Sequence, residues 1–487
     1  MIRLPFVLCL GAAVLAGCAA VGPDYRVPED SAFARGQQHS VAWEGVDAAA
    51  VVTPSPALDG PWWALYEDAT LDALVEQALR ANTQLRVAAA HLEQAQARYA
   101  QARSAGGLNA TIDGSAARTR PSAQSQGLSE PLPPFNFAEG GLTLSYQVDL
   151  FGRLRRGAEA ARANAEAAQA ASDLAHISVA AAVVGAYAEI CHSNHEIRVA
   201  RQSIDVQQRS RDVAERLMAA GRGTSTAVAR AEAQLALLQA SVPPLETQRQ
   251  AAGYELAELL GLPPDQVPAQ ALQCAQVPVL AQAIPVGDGA ALLRRRPDVR
   301  QAERTLAAAT ADIGVATAAL YPDIRLGASF GVSGMLEDFG KPMTQLWSIG
   351  PLVSWSIPDR GAHARVAAAE AGADAALAEF DQVVLGALKE TQTVLTGYAQ
   401  DLQRASALRA SRDHARAAAA DEQRLYQAGR HPYLATLDAN RTLASAEASL
   451  ASAEAQLTQD QIRLFLALGE GWHQKEVVAA VVDAADH

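Results

Sequence analysis

The chain has 487 residues, a net charge of −13 and only 5% aromatic residues, with alanine dominating whole stretches. No basic patch interleaved with aromatics offsets that charge, which excludes a nucleic-acid partner, and the composition suits long packed helices better than one large globular core. Beyond the first seventeen residues no apolar run reaches the length of a membrane-crossing helix; Ile177–Ile190 comes nearest and contains Glu189, so any crossing must use strands.

Residues 1–17 open with Arg3, run apolar from Phe6 to Leu15 and end in Leu15-Ala16-Gly17-Cys18, the form of an export signal. Small residues directly before a cysteine resemble the bacterial lipobox, so Cys18 is the expected lipid-carrying residue. Cleavage there removes Cys9 and leaves Cys191 and Cys274. An oxidising compartment permits those two to pair, but their contexts do not indicate it.

The next elements read as helices until a weak strand over about 109–117, followed by a strand over about 140–150 in which Leu142, Leu144, Tyr146, Val148 and Leu150 alternate with polar residues. A proline-free helix then runs from Arg153 to Met218, about 100 Å if unbroken. Gly221 and Gly223 punctuate the chain before a second helix starts near Ser225, giving a hairpin over about 153–260. Strands over about 323–333 and 347–357 follow, the latter with Trp347 and Trp355 in its apolar row, and then a second hairpin over about 361–468, punctuated by Gly429 and Pro432. Thr119–Pro134 and Gly334–Pro342 read as the loops joining each strand pair.

Sliding the sequence by 208 residues lays Gly221 on Gly429, Leu256 on Leu464, Leu260 on Leu468 and Gly261 on Gly469; a shift of 214 lays Leu85 on Val299 and Ala105 on Ala319. The chain therefore divides into two repeats, 18–270 and 271–487, the second ending in a C-terminal tail. Val199, Val206 and Val213, Leu238, Leu245 and Leu259, and Leu443, Leu450, Leu457 and Leu464 form sevenfold rows, the mark of coiled-coil seams. The plainer alternative is an ordinary long helical hairpin.

Strands apolar on one face and small or polar on the other, with no second sheet to cover them, fit a lipid-facing wall around a wet lumen. Four strands cannot close a channel, and lipid does not tolerate an open edge, so the sheet requires other copies. A trimer with twelve strands is the simplest closed solution wide enough for a pore.

The motifs Gly22-Pro23-Asp24-Tyr25, Pro61-Trp62-Trp63, Leu144 to Arg153 (LSYQVDLFGR), Arg294-Arg295-Arg296-Pro297-Asp298 and Leu466-Ala467-Leu468-Gly469 together resemble the outer membrane factor family, the TolC and OprM type ducts, and within it the NodT-type lipoproteins of RND efflux systems. The resemblance implies an α+β membrane protein: a trimeric twelve-stranded outer-membrane barrel continuing into a long periplasmic helical coiled-coil barrel. It also implies a mixed belt around Ala57–Leu79, Leu262–Leu293 and the tail. The implied partners are two further copies, a periplasmic membrane-fusion adaptor, an inner-membrane RND pump and outer-membrane lipid, with no cofactor and no chemistry in the duct.

In such ducts the periplasmic tip is the gate. Gly429 to Asp438 matches the second-half tip, putting Asp438 on the aspartate position with Arg430 and His431 beside it. Apart from the resemblance, Asp438 reads as a solvated carboxylate on a helix face. The first-half tip departs from the family, with Ala227 in place of an acid and Arg230 following; Ala362 after Gly361 is a second departure.

Cys191, His192, His195 and Glu196 cluster on one helix, and the two histidines share a face. No matching ligand pair appears in the other half, so no metal site is assigned. Gly221-Arg222-Gly223 lacks the lysine of a phosphate loop and reads as a turn, and no catalytic constellation stands out. Two rival readings stay open: a type I secretion duct serving an ABC exporter, and a non-channel periplasmic coiled-coil lipoprotein.

Overall fold

A computed structural model describes residues 20–38, 52–53, 60–274, 276–280, 284–286, 289–357 and 361–469. Cys18, the signal 1–17, Pro358–Arg360 and the tail beyond Gly469 lie outside the described residues. In chain order the elements are α1 (Ala32–Gln38), β1 (Val52–Thr53), α2 (Ala69–Ala81), α3 (Thr83–Ser104), β2 (Asn109–Thr119) and β3 (Phe135–Val148). The long α4 (Arg153–Ala219) is followed by α5 (Ser225–Ala240), α6 (Val242–Leu259), α7 (Ala269–Leu272), β4 (Ile284–Pro285), α8 (Gly289–Arg295) and α9 (Pro297–Ala318). The chain then forms β5 (Asp323–Met335), β6 (Gln345–Ser354), α10 (Ala362–Gln427) and α11 (Tyr433–Leu468).

Two compact units each draw on both halves of the sequence: one holds the described residues up to Val27, Leu92–Ala168 and Gln301–Phe380, the other Pro28–His91, Gln169–Arg300 and the chain from Asp381 on. The first unit contains an antiparallel sheet in the order β2-β3-β5-β6. Compared with the sequence reading, β3 starts earlier, at Phe135, and β6 ends at Ser354, so Leu150, Trp355 and Ile357 fall outside strands. The alternating pattern continues past the ladder because alternation alone does not say where a pairing partner stops.

Register makes the two faces of this sheet explicit. Ile112, Leu142, Phe330 and Trp347 stand opposite one another across all four strands, with Ala110, Leu144, Ala328 and Ile349 in the next row on that face. Thr111, Thr143, Ser329 and Ser348 form a hydroxyl row on the other face, where the Ser329 and Ser348 hydroxyls lie 2.8 Å apart and Ser115 donates to Glu139 at 3.0 Å. The apolar row is open: Ile112 is 84% exposed and Trp347 75%. At about 25 cal/mol per Å² such a face is a strong drive toward an apolar surrounding.

The sheet passes into α4 through a tight corner. Asp149 accepts hydrogen bonds from the Leu154 and Arg155 amides at 3.0 and 2.9 Å, capping the helix start, while Phe151 stacks on Tyr321 at 4.5 Å. The segment after Ala20 is bolted beside this corner. Val21 N–H reaches the Phe151 carbonyl at 3.1 Å, and the Arg156 guanidinium, 5% exposed, holds Asp24 at 2.7 Å and donates to the Val21 and Gly22 carbonyls. Gly22 is required by contact, since a methyl there would lie 2.4 Å from Gly314 Cα. Tyr25 donates to Glu303 at 3.2 Å and lies under the Arg304 guanidinium.

The second unit is organised by one apolar core. Trp62 is fully buried, stacked 4.6 Å from Phe465, with Trp63 and Tyr66 edge-on to it. Leu256 and Leu260 of the first half and Leu464 and Leu468 of the second line this same core, so the 208-residue repeat is realised as packing. The belt segments also contribute, through Leu71, Leu74, Ala271 and Leu292, and β1 pairs in parallel with β4. Arg296 clamps the end of α11: it donates to the Ala467 carbonyl at 2.7 Å and pairs with Asp298 at 2.7 Å and Glu390 at 2.8 Å.

Among the described residues one helix, α4, is apolar enough over eighteen residues to cross a bilayer by composition, but 61% of that window is buried. Its apolar residues Ile177, Val183, Val184 and Ile190 face protein. Lower on α4 the Val199, Val206 and Val213 row is only half-buried, and the tightly packed row is Ser203, Gln207, Ser210 and Ala214. Gln207 donates to the Ala231 carbonyl of α5 at 3.0 Å. The buried row on this face is therefore small or polar, and the sevenfold valine row lies half-buried beside it.

Candidate functional site

Both hairpins of the second unit end in the same turn. Gly221 and Gly429 each adopt φ +69°, which returns the Arg222 amide to the Leu217 carbonyl at 2.8 Å and the Arg430 amide to the Leu425 carbonyl at 2.9 Å. Thr224 then caps α5 by accepting from the Ala227 amide at 3.2 Å. Pro432 opens α11 with its preset φ. Tyr426 and Tyr433 bring their rings to 4.8 Å across the second turn, and Tyr433 packs on Ala214, Val228 and Ala231 of the first hairpin. Burial pushes the Tyr433 hydroxyl above its ordinary pKa, so it stays neutral.

Asp438, Arg430 and His431 all sit on this tip and are exposed. They do not bond to one another. Asp438 accepts from Arg441 at 2.7 Å, one turn along α11, and His431 Nδ1 lies 2.9 Å from Glu422 on α10. Arg441 and Glu422 are partners that the sequence reading did not single out, although Arg441 at i+3 was a readable signal.

A cavity of about 730 Å³ opens between the two tips. Arg222 and Arg230 enter its lining from the first hairpin, His431, Tyr426 and Tyr433 from the second, and Leu217 and Leu437 floor it. The first tip, which lacks the acid at Ala227, thus presents cations to the cavity. The repeat itself carried this signal: 208 residues separate Arg230 from Asp438, so equivalent positions bear opposite charge.

Away from the tip, Cys191 and Cys274 form a disulfide that closes 83 residues of chain. The sequence left this pairing undecided, because spacing cannot tell that the linker after α6 folds back onto α4. The bond also takes Cys191 out of the cluster weighed for metal. His192 is buried with Nε2 3.0 Å from the Thr458 hydroxyl, and burial with its neighbour His195 drives its pKa down to about 4. On the second hairpin Asp460, 9% exposed, faces Asp401; burial and that neighbouring carboxyl push its pKa up to about 6.

Comparison with known proteins agrees across most of the chain. The model of the outer membrane efflux protein family matches residues 74–262 and 290–470. Nodulation protein T of Rhizobium leguminosarum bv. viciae is 30% identical over 473 residues, 96% of this chain and 93% of that protein. Outer membrane protein OprJ of Pseudomonas aeruginosa is 30% identical over 470 residues, 95% of each. Among solved structures, the outer-membrane channel OprN superposes with a TM-score of 0.85 at 36% identity, over 93% of this chain and all of that one.

Proposed function

The chain belongs to the outer membrane efflux protein family, and on that premise we propose that it is the exit duct of a tripartite efflux pump. Residence in the outer membrane follows from the family. In this reading three copies close their four-stranded sheets into a barrel of twelve strands, the hydroxyl rows facing the lumen and the Trp347 row facing lipid. The observation that carries it is the sheet itself: apolar rows exposed on one face, a hydroxyl row on the other, and two unpaired edges, β2 and β6, that no bilayer tolerates open. An inner-membrane RND pump supplies the energy and a periplasmic adaptor hands over the substrate, which then diffuses out passively. Cys18 carries the lipid anchor.

The gate is the tip, with Asp438, Arg430 and His431. Three Asp438 carboxylates brought around one axis repel one another and attract cations, and each is partly offset by its exposed pair with Arg441, an interaction worth under about 1 kcal/mol. Replacing Asp438 with Ala removes that ring of negative charge. Purified protein in a planar bilayer is expected to conduct with a preference for cations, and Asp438→Ala to lose that preference. No conductance from either would sink the duct reading.

A further inference from the structure

The hydroxyl face of the sheet does not stay polar to its far end. Counting away from α4, the row of Thr111, Thr143 and Ser329 is followed by Asp113, Gly141 and Gly331, and then by Ser115, Glu139 and Ser333. Ala117, Phe137 and Met335 come next, with Phe135 opposite Thr119 one row farther on. The register runs without a break, so these side chains share one face. On the other face at this end stand Arg118 and Asn136, whose side chains meet at 3.5 Å. The alternation is thus inverted here: aromatic rings take the face that is polar elsewhere, and polar groups take the face that carries the Trp347 row.

An apolar cluster that only finished the hairpin would sit on the side of the Trp347 row. Instead Phe135 and Phe137 lie edge to face on the hydroxyl side, their centroids 6.4 Å apart, both half-buried, and Met335 beside them is 46% exposed. Nearer the helices the same face carries charge of one sign. Glu139 accepts from Ser115 at 3.0 Å, and among the described residues neither Glu139 nor Asp113 has a cation within ion-pair distance. Glu139 is two residues from Phe137 on one strand, about 7 Å along it. A molecule resting an apolar ring on Phe137 can therefore hold a positive charge against that carboxylate.

We propose that this end of the sheet is a contact site for amphipathic cations, the apolar body resting on Phe135, Phe137 and Met335 and the charge held by Glu139 and Asp113. The inference rests on the duct reading, in which this face lines the exit mouth, and adds the class of cargo that the mouth favours. Charge complementarity selects the occupant: an aromatic anion meets two carboxylates, and a compact hydrated cation gains nothing from the rings. Every residue of the site lies in one chain's sheet, so binding does not wait on closure of a barrel.

Three probes separate ring from charge: benzyltrimethylammonium, tetramethylammonium and benzenesulfonate, each titrated against the detergent-purified full chain by saturation-transfer difference NMR. Benzyltrimethylammonium is expected to bind about fivefold tighter than tetramethylammonium, and benzenesulfonate more weakly than either. The double variant Phe135→Ser with Phe137→Ser removes the advantage of the ring, and Phe135→Tyr with Phe137→Tyr keeps it. Asp113→Asn with Glu139→Gln removes the advantage of the charge, so that the benzyl cation and benzenesulfonate bind alike. Equal binding of the two cations by wild type, a ring advantage that survives in the serine variant, or a charge preference that survives in the amide variant each overturns the site. Conductance of the same preparations in planar bilayers is read separately. A conducting wild type that binds all three probes alike sinks the site and leaves the duct, whereas selective binding by a chain that never conducts upholds the site and sinks the duct.

Discussion

His192 and Asp460 are buried titratable groups whose shifts pull in opposite directions. The folded pKa of His192, about 4, lies below its ordinary 6.5, so the unfolded chain takes up the proton first. Its share of stability is complete above pH 6.5 and is lost as pH falls toward 4, an effect of about 3 kcal/mol at most. Asp460 behaves in reverse. Its pKa is raised from 3.8 to about 6, so its share is complete below pH 3.8 and lost as pH rises through 6. Thermal melts across this range are therefore expected to show His192→Gln more stable than wild type near pH 4.5 and Asp460→Asn more stable near pH 8. Identical pH profiles for the three proteins would mean that neither group is buried as described.

At the scale of elements, the motifs that carried the family resemblance turn out to be corners and clamps. Asp149 caps α4, Trp62 stacks on Phe465, Arg296 holds the last turn of α11, and Gly22 and Asp24 lock onto Gly314 and Arg156. Neighbouring residues of β6 offer a direct test of the two faces. Trp347→Arg places a charge on the open apolar row and is expected to lose about 2–4 kcal/mol of barrel stability, whereas Ser348→Arg faces the hydroxyl row and loses little. The readout is the yield of folded, heat-resistant oligomer in the outer membrane. Equal yields would reverse or abolish the assignment of faces.

In the proposed duct, membrane residence is shared between the lipid on Cys18 and the sheet. Residues from Val21 to Tyr25 are fastened to α4 and α9 within the sheet's own unit, so this segment is held by packing whether or not Cys18 is acylated. Cys18→Ala, exported by a standard signal, is expected to insert into the outer membrane. Recovery of that variant as a soluble periplasmic protein would show that the strands do not commit the chain to lipid.

The class of the molecule is legible in the residues alone, because its signals are periodic or repeated. Alternation over Leu142–Val148 and Ile324–Val332, the proline-free run from Arg153 and the 208-residue repeat each depend on local geometry, a two-residue pleat or a helical turn, that spacing reports directly. Where those elements meet emerges only in the packed molecule. The Cys191–Cys274 bond and the Asp401–Asp460 contact join residues far apart in sequence, and Ser203, Gln207 and Ser210 are buried where the apolar period pointed to valine. The tip shows both: the glycine turns and Asp438 were legible, but that Arg222 and Arg230 border one cavity with Tyr426 and His431 depends on two hairpins packing side by side, which no spacing encodes.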